Sequence, residues 1–361
     1  MRARGTRRVG LMVAAALAAT PLVASARAAS NPVRINDVQV VGTHNSYHVE
    51  PSPEALAVIT KVAPTLADLA VSHPPLREQL EQQSIRQVEL DVFADPDGTL
   101  WRPIGSKGFK VFHTEQIDEG STCEVFLDCL RELRRWSRAH PRHLPVFVLV
   151  QPQDGIVLAG PPNPIPITTE TLDALDAEIR SVMKPRDLIT PDQVRGKHAT
   201  VEAAVLANGW PTLEDARGKF VFLLDQRRAL YVAGHPNLEG RVMFPASTPG
   251  QPDAAFVQFQ DPRTPDAAVI PDLVRKGYLV RTRADEPVTT PKSGDVSQRD
   301  VAFNSGAQIV STDYPVPGEA QRWGSDYVAQ LPGGVAARCN PVRAPKRCTA
   351  RSLREPKRSA T

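Results

Sequence analysis

The feature that most constrains the fold is a series of short apolar runs separated by stretches with helical periodicity. The run 146–150 (Val-Phe-Val-Leu-Val) is apolar on both faces, as a strand covered by helices on each side must be. Strands that alternate with helices predict a parallel sheet. We predict eight strands, at 38–42, 85–91, 110–113, 146–151, 220–225, 255–259, 278–282 and 308–312.

Helical patterns fill most of the intervals between these strands. They lie at 54–70, 76–83, 125–139, 169–182, 270–276 and 299–304. Eight strands in such an alternation close a TIM-type (β/α)₈ barrel, and roughly 300 residues suit one such domain. We therefore predict an α/β fold with a single barrel domain over residues 30–331.

The first 29 residues are expected to be a cleavable export signal rather than part of the fold. Four arginines, an apolar run over 9–23 and small residues from Ala24 onward follow one another in the order of such a signal. The segment 6–11 also resembles a twin-arginine signal, so the export route stays open. The predicted location is secreted or periplasmic.

Removal of the predicted signal changes the net charge of the chain and shows how that charge is distributed. The formal net charge is +3, and cleavage at Ala26 would remove Arg2, Arg4, Arg7 and Arg8 and leave −1. Residues 338–361 hold eight Lys/Arg and one acid, a local +7, so the barrel itself carries about −8. The basic segment within 332–361 either contacts anionic membrane surfaces or is simply solvated. We expect no nucleic-acid partner and a monomer.

The four cysteines predict disulfides rather than a metal cluster. Cys123 and Cys129 are near neighbours, as are Cys339 and Cys348, and neither spacing is typical of zinc. In an exported chain two disulfides are expected. Local pairing is the simplest of the three possible connectivities, and it would close a loop in the basic tail.

Reactive side chains fall at the ends of successive predicted strands. The carboxyl ends of strands in an α/β barrel meet at one mouth, where active sites of this fold lie. Taken singly, a histidine at a strand end is more often structural, and a Glu-x-Asp pair more often lies on a solvated face. The strand-end set is His44, Asn45, Glu89, Asp91, His113, Gln151, Asp225, Arg281, Arg283 and Asp313; the histidines interpreted as structural or surface residues are His48, His73, His140, His143 and His198.

The strand-end residues divide by their chemistry into metal ligands and proton carriers. Asn45, Glu89 and Asp91 offer the oxygen atoms that Ca²⁺ or Mg²⁺ prefers. His44 and His113 can transfer protons near neutral pH. A cation beside two histidines suits attack at a phosphodiester, because the cation neutralises phosphate charge while a histidine protonates the leaving oxygen.

Several segments resemble the calcium-dependent phosphoinositide-specific phospholipase C family, in particular its secreted bacterial branch. The resemblance runs from about residue 38 to residue 315 and implies a distorted TIM barrel. It also implies a reaction in which an inositol hydroxyl attacks phosphorus, diacylglycerol leaves and a cyclic inositol phosphate forms. The segments are Val-Gly-Thr-His-Asn-Ser-Tyr at 41–47, Val-Glu-Leu-Asp at 88–91, Phe-His at 112–113, Trp-Pro-Thr-Leu at 210–213, Arg-Gly-Lys at 217–219 and 306–314.

The resemblance also implies a role for each strand-end residue. His44 would stabilise the phosphorane-like transition state, and His113 would be the general acid toward the leaving alkoxide. Arg281, and with less support Arg283, would contact phosphate or inositol, or pair with Asp285 or Asp313. The ligands of Ca²⁺, preferred here over Mg²⁺, would be Asn45, Glu89, Asp91 and Gln151.

Gln151 departs from the family pattern, which commonly has glutamate at this position. A glutamine oxygen can bind Ca²⁺, but the site loses one negative charge, and affinity follows ligand charge. Calcium could bind more weakly, a carboxylate such as Asp154 or Asp225 could compensate, or the substrate could differ.

Two alternatives to a phospholipase C remain. A glycerophosphodiester phosphodiesterase uses the same barrel and a similar Glu-x-Asp pair, but its first strand usually ends in His-Arg-Gly rather than His44-Asn45-Ser46. A non-catalytic barrel that binds lipid headgroups is the other, supported only by Gln151. Both alternatives keep the predicted barrel fold and differ from a phospholipase C in the function of the site at the carboxyl ends of the strands.

Overall fold

The computed structural model describes residues 32–101, 104–154 and 164–356, together with Met1 and Gly5. Apart from those two residues, the predicted export signal and its paired arginines lie outside the described residues. The described strands are β1 (Val38–Thr43), β2 (Gln87–Phe93), β3 (Lys110–Val111), β4 (Val146–Gln153), β5 (Phe220–Leu224), β6 (Phe244–Pro245), β7 (Phe256–Gln258), β8 (Leu279–Arg283), β9 (Ile309–Thr312) and β10 (Arg338–Cys339).

Eight of these strands form one parallel ladder. Their spatial order is β6-β5-β4-β2-β1-β9-β8-β7, and an isolated parallel bridge between Ala246 and Phe256 joins the two outer strands. The ladder therefore closes on itself through a weak seam between β6 and β7. The predicted TIM-type (β/α)₈ barrel is confirmed, with a distortion at that seam.

The prediction that 110–113 is a barrel strand was wrong. β3 pairs antiparallel with the end of β2, Val92 beside Val111 and Phe93 beside Lys110, so it forms a hairpin above the barrel. The ammonium group of Lys110 is buried and lies 3.1 Å from a carboxylate oxygen of Asp95. The strand missing from the prediction is β6, whose two residues are too few to display a periodicity.

The helices surround the barrel except at the seam. The connection over 246–255, between β6 and β7, contains no helix, and a cavity of about 600 Å³ bordered by Ser247, Val257 and Leu273 lies there. The described helices are α1 (Pro53–Val62), α2 (Leu76–Gln82), α3 (Phe126–Ala139), α4 (Thr169–Val182), α5 (Pro191–Arg195), α6 (Val201–Leu206), α7 (Leu213–Ala216), α8 (Arg228–Tyr231), α9 (Ile270–Lys276), α10 (Thr289–Ser293) and α11 (Ser297–Ser305), with 3₁₀ turns at Ile35–Asp37, Pro64–Leu69, Pro185–Asp187, Pro265–Val269 and Glu319–Trp323.

The core lies on both sides of the strands. All five residues from Val146 to Val150 are fully buried, because they face either the barrel interior or the helix layer. α3 covers the outer face with Leu130, Leu133 and Trp136, spaced three residues apart on one face. Each such side chain stabilises the fold by about 1.5–3 kcal/mol on burial. In the described part of the chain, no helix has the length and apolar character to cross a membrane.

The basic tail packs against the amino-terminal end of the barrel. β10 pairs antiparallel with the start of β1, and Nε of Arg343 donates to a carboxylate oxygen of Asp37 at 2.9 Å. Arg86, which precedes β2, pairs with Glu355. The barrel and the described tail belong to one unit, Pro32–Thr361. The tail therefore lies at the end of the barrel opposite the carboxyl ends of the strands.

Both predicted local disulfides are present. Cys123 is joined to Cys129 at the start of α3, and Cys339 is joined to Cys348 in the tail. The second disulfide closes a loop next to β10.

Candidate active site

A polar cavity of about 280 Å³ opens at the carboxyl ends of the strands. His44 and Asn45 follow β1, Arg283 ends β8 and Asp313 follows β9, and all four line the cavity together with His113 from the β2–β3 hairpin. The structure thus brings both predicted catalytic histidines to one place.

The turn after β1 is rigid. Gly42 has no room for a side chain, since a Cβ there would lie 1.8 Å from Oε1 of Gln87. Asn45 has a φ of 44°, a left-handed conformation that asparagine tolerates better than most residues. Oγ of Ser46 accepts a hydrogen bond from the backbone N–H of Glu89 at 2.8 Å. The turn therefore presents its two cavity residues in a fixed orientation.

His44 shares a buried carboxylate with a second histidine. Both oxygens of Asp313 lie 3.3 Å from Nδ1 of His44. One of them lies 3.5 Å from Nε2 of His73, whose nearer acceptor is the backbone carbonyl oxygen of His44 at 2.9 Å. The positive charge of Arg283 is also close, 3.7 Å from Asp313. We call His44, Asp313 and His73 the His44 cluster.

The electrostatics of the His44 cluster favour a neutral His44. Burial and the charge of Arg283 lower the pKa of His44, and Asp313 offsets this only in part. Burial alone would raise the pKa of Asp313, but His44, His73 and Arg283 hold it well below its usual range. His44 accordingly directs Nδ1–H to the carboxylate and keeps Nε2 as a proton acceptor, a tautomer assigned from these partners.

His113 also shares a buried carboxylate with a second histidine. Its Nδ1 lies 2.9 Å from Oδ2 of Asp118, and Nε2 of His48 lies 2.9 Å and 2.8 Å from the two oxygens of the same carboxylate. We call His113, Asp118 and His48 the His113 cluster. Burial alone would lower the pKa of His113, but the hydrogen bond to Asp118 and the charges of Asp118 and Asp91 raise it.

Glu89 and Asp91 project from β2 to the same face. Oε2 of Glu89 accepts a hydrogen bond from Nη2 of Arg281 at 2.8 Å, and Oδ2 of Asp91 accepts one from Gln153 at 3.1 Å. Oδ1 of Asp91 is buried without a hydrogen-bond partner in the described part of the chain. Burial, with the negative charge of Glu89, raises the pKa of Asp91 to about 8, so this carboxyl needs either a proton or a cation.

The potential ligand atoms near Asp91 are oxygens, the type of atom that calcium binds. Within residues 32–101, 104–154 and 164–356, no three His, Cys, Asp or Glu side chains are grouped closely enough to form a metal site. A cation at this position would need neutral oxygen ligands in addition to carboxylates. The predicted ligands, Asn45, Glu89, Asp91 and Gln151, supply two carboxylates and two amides. The unpartnered Oδ1 of Asp91 and this all-oxygen set suit a hard cation.

Gln151 stands beside Asp91 in the sheet, since their Cα atoms pair between β4 and β2. Of the two acids that could compensate for its lost charge, Asp154 is bound to Arg227, with Nη2 of the arginine 2.5 Å from Oδ1. Asp225 is close enough to Glu89 for the two charges to interact, and burial together with Glu89 raises its pKa to about 6. Of these two acids, Asp225 is therefore the one whose charge interacts with a predicted ligand.

The two predicted substrate arginines differ in their surroundings. Arg281 is fully buried and, besides Glu89, donates to Ser311 at 2.7 Å and to Gln260 at 2.8 Å. Arg283 lines the cavity, and its Nε and Nη2 have no hydrogen-bond acceptor within the described residues. Arg283 is thus better placed than Arg281 to receive an anion.

Three residues of the two clusters were missed from the sequence. His48 and His73 were interpreted as structural or surface residues; both are buried and also line the cavity, and Asp118 was not singled out. All three lie in loops rather than at ends of barrel strands. Two spacings could have indicated them: His48 follows His44 by four residues, and Asp118 follows His113 by five.

Comparison with known families agrees with the resemblance seen in the sequence. The family described as phosphoinositide phospholipase C, Ca²⁺-dependent, matches residues 33–104 and 102–341. No curated protein sequence matches the chain significantly.

Solved structures of two bacterial enzymes share the fold. One is a calcium-dependent phosphoinositol-specific phospholipase C from a Gram-negative Pseudomonas species, 16% identical, with a TM-score of 0.54 over 86% of this chain and 96% of that one. The other is a Ca²⁺-dependent phosphatidylinositol-specific phospholipase C from Streptomyces antibioticus, 19% identical, with a TM-score of 0.53 over 78% and 95%. At these identities the likeness concerns the fold alone.

Proposed function

Because this chain belongs to the Ca²⁺-dependent phosphoinositide phospholipase C family and is thus a phosphodiester hydrolase, we propose that it cleaves phosphatidylinositol by attack of an inositol hydroxyl on phosphorus. The observation that carries the proposal is a pair of histidines in one cavity, each with its Nδ1 facing a buried aspartate. The pKa of His44 is lowered and that of His113 is raised, in agreement with this arrangement. A base that is deprotonated and an acid that is protonated at the same pH are what this reaction requires.

His44 is the residue we assign to the attacking hydroxyl. Its Nε2 takes the hydroxyl proton while the new oxygen–phosphorus bond forms. The resulting imidazolium is stabilised by Asp313 through Nδ1–H and lies beside the negative charge of the transition state. The role implied by the family, stabilisation of that transition state, follows once His44 has accepted the proton.

His113 is the residue we assign to the leaving group. Its Nδ1–H is held by Asp118, which leaves Nε2–H to protonate the departing diacylglycerol oxygen as its bond to phosphorus breaks. The products are diacylglycerol and a cyclic inositol phosphate. With water as the nucleophile the same two histidines can exchange roles and open the cyclic product.

Calcium is the cofactor expected for the family, and Asn45, Glu89, Asp91 and Gln151 are the residues that would hold it. When bound, it supplies positive charge to the phosphate and lowers the pKa of the attacking hydroxyl. We assign direct contact with the phosphate or inositol to Arg283 first. Arg281, engaged with Glu89, would act on the substrate mainly by orienting that carboxylate.

Contact with a lipid surface must occur at the mouth of the barrel in this proposal. The phosphodiester has to reach the cavity at the carboxyl ends of the strands, whereas the basic tail is bound near Asp37 and Arg86 at the opposite end. The tail therefore does not orient the cavity toward a membrane. The two disulfides are those of a protein from an oxidising compartment, extracellular or periplasmic.

The test is release of water-soluble inositol phosphate from phosphatidylinositol vesicles, with and without EGTA. We expect turnover that EGTA abolishes and added Ca²⁺ restores. Turnover that persists in EGTA would remove the metal from the proposal. Preference for glycerophosphocholine over phosphatidylinositol would replace the proposed activity with that of a glycerophosphodiester phosphodiesterase, and turnover of neither would favour a headgroup-binding protein.

A further inference from the structure

His48 makes contacts that exceed those of an ordinary core histidine. Its side chain is 6% exposed, and its Nε2 faces Asp118. The backbone around it is fixed as well, since the N–H of His73 donates to the carbonyl of His48 at 2.9 Å and an antiparallel bridge joins His48 to Ser121. The imidazole is therefore held in one place from several sides.

Both ring nitrogens of His48 face groups that accept hydrogen bonds. Nδ1 lies 2.7 Å from the carbonyl oxygen of Val71, and a carbonyl can only accept. Nε2 lies within 2.9 Å of both oxygens of Asp118. Burial alone would raise the pKa of Asp118, but its hydrogen bonds to His113 and His48 lower it, so this group is a carboxylate. Each ring nitrogen of His48 is thus placed to donate a hydrogen bond.

Asp118 is completely buried, and its orientation depends on these two histidines. Its Oδ2 is shared between Nδ1 of His113 and Nε2 of His48, while Oδ1 is held by His48. Without His48, one carboxylate oxygen would lose its partner and the group could rotate about its side-chain bond. The ring of His113 would then lose the fixed acceptor that aims Nε2 at the leaving oxygen.

From this chain of contacts we infer that His48 is a positioning residue for His113: it orients Asp118, and Asp118 orients the general acid. The inference rests on the proposed function, in which His113 protonates the leaving alkoxide. Both ring nitrogens of His48 are engaged with Val71 and Asp118, so in this role His48 acts through Asp118 and not on the reacting atoms.

Two substitutions separate this role from a purely structural one. The amide nitrogen of glutamine reaches the position of a histidine Nε2, whereas that of asparagine reaches the position of Nδ1. His48→Gln therefore keeps a donor toward Asp118 and loses the one toward Val71, and His48→Asn does the reverse. Exposed His198 has no side-chain hydrogen bond in the described residues, so His198→Asn is the matched control.

The leaving group of the substrate supplies a readout that stability alone does not affect. A diacylglycerol alkoxide needs a proton from His113, whereas a nitrophenolate departs without one. We expect His48→Asn to lower kcat on phosphatidylinositol by about 10- to 100-fold, within the usual contribution of a general acid. On the nitrophenyl ester of inositol phosphate we expect only a small loss. His48→Gln should lose about threefold on phosphatidylinositol, since one of its two donors is retained.

Equal losses on both substrates would overturn the inference, and so would a larger loss in His48→Gln than in His48→Asn. Either result would assign His48 to structural support of the loop that contains Val71. Absence of turnover in the unmodified protein would instead contradict the proposed function. In that case the nuclear magnetic resonance signal of the His113 Nδ1–H still decides the inference. It should broaden or shift upfield in His48→Asn and persist in His48→Gln, and an unchanged signal in both variants would overturn the positioning role.

Discussion

The His44 cluster and the His113 cluster have the same composition, two histidines on one buried aspartate, yet they favour opposite protonation states. In the His44 cluster the contacts to the aspartate are 3.3–3.5 Å and a guanidinium stands beside it. In the His113 cluster the contacts are 2.8–2.9 Å, and the hydrogen bond to Asp118 is the main cause that raises the pKa of His113. A histidine–aspartate pair therefore does not by itself determine whether the imidazole is an acid or a base. Burial lowers the pKa of both imidazoles, and the strength of the hydrogen bond to the aspartate together with the neighbouring charges sets the direction of the shift.

The largest expected effect comes from removing each histidine in turn. His113→Ala and His44→Ala should each lower kcat on phosphatidylinositol by roughly 10²–10⁴-fold, the range of general acid–base catalysis. The nitrophenyl ester should distinguish the two variants, because it needs the base but not the acid. We expect His113→Ala to retain most of its activity on that ester and His44→Ala to lose it. The reverse pattern would exchange the assigned roles.

Replacing the aspartate of the His113 cluster should produce the next largest effect. Asp118→Asn removes a negative charge that raises the pKa of His113 and should lower kcat by about 10- to 100-fold through loss of orientation. A general acid acts only while it is protonated, so activity declines as the pH rises through the pKa of His113. Lowering that pKa must move the basic limb of the kcat/KM profile to lower pH. A basic limb that stays in place would show that another group titrates there.

Much of this arrangement could be predicted from the sequence, and the rest depends on tertiary contacts. His44, Glu89 and Asp91 follow from period-two strands whose ends meet at the mouth of a barrel. His113 was predicted from a strand that is in fact a hairpin, and it reaches the cavity because the hairpin folds back over the end of β2. His48 and Asp118 could not be paired from the sequence, since 70 residues separate them and no periodicity relates two loops.

A smaller effect is expected from adding one negative charge to the predicted calcium ligands. Gln151→Glu places a third carboxylate next to Asp91, its neighbour across the sheet. Because calcium affinity rises with the number of charged ligands, the Ca²⁺ concentration for half-maximal activity should fall by about tenfold. Exposed Gln82, at the end of α2, makes no side-chain hydrogen bond within the described residues, so Gln82→Glu is a control of the same charge. An unchanged calcium requirement in Gln151→Glu would exclude position 151 from the ligands.

The smallest effect is expected from removing the charge of Arg283, which lies beside the His44 cluster. The guanidinium of Arg283 lowers the pKa of His44, so Arg283→Gln should raise it. A general base acts only while it is unprotonated, so activity rises with pH through the pKa of His44, and the acidic limb of the kcat/KM profile must move to higher pH. At the optimum we expect a loss of only a few-fold, mostly in KM, since glutamine can still donate one hydrogen bond to a phosphate. The basic limb of the profile, which reports the pKa of His113, should not move. If both limbs moved together, the two clusters would be titrating as one unit. The proton affinity of each histidine could then not be attributed to its own surroundings.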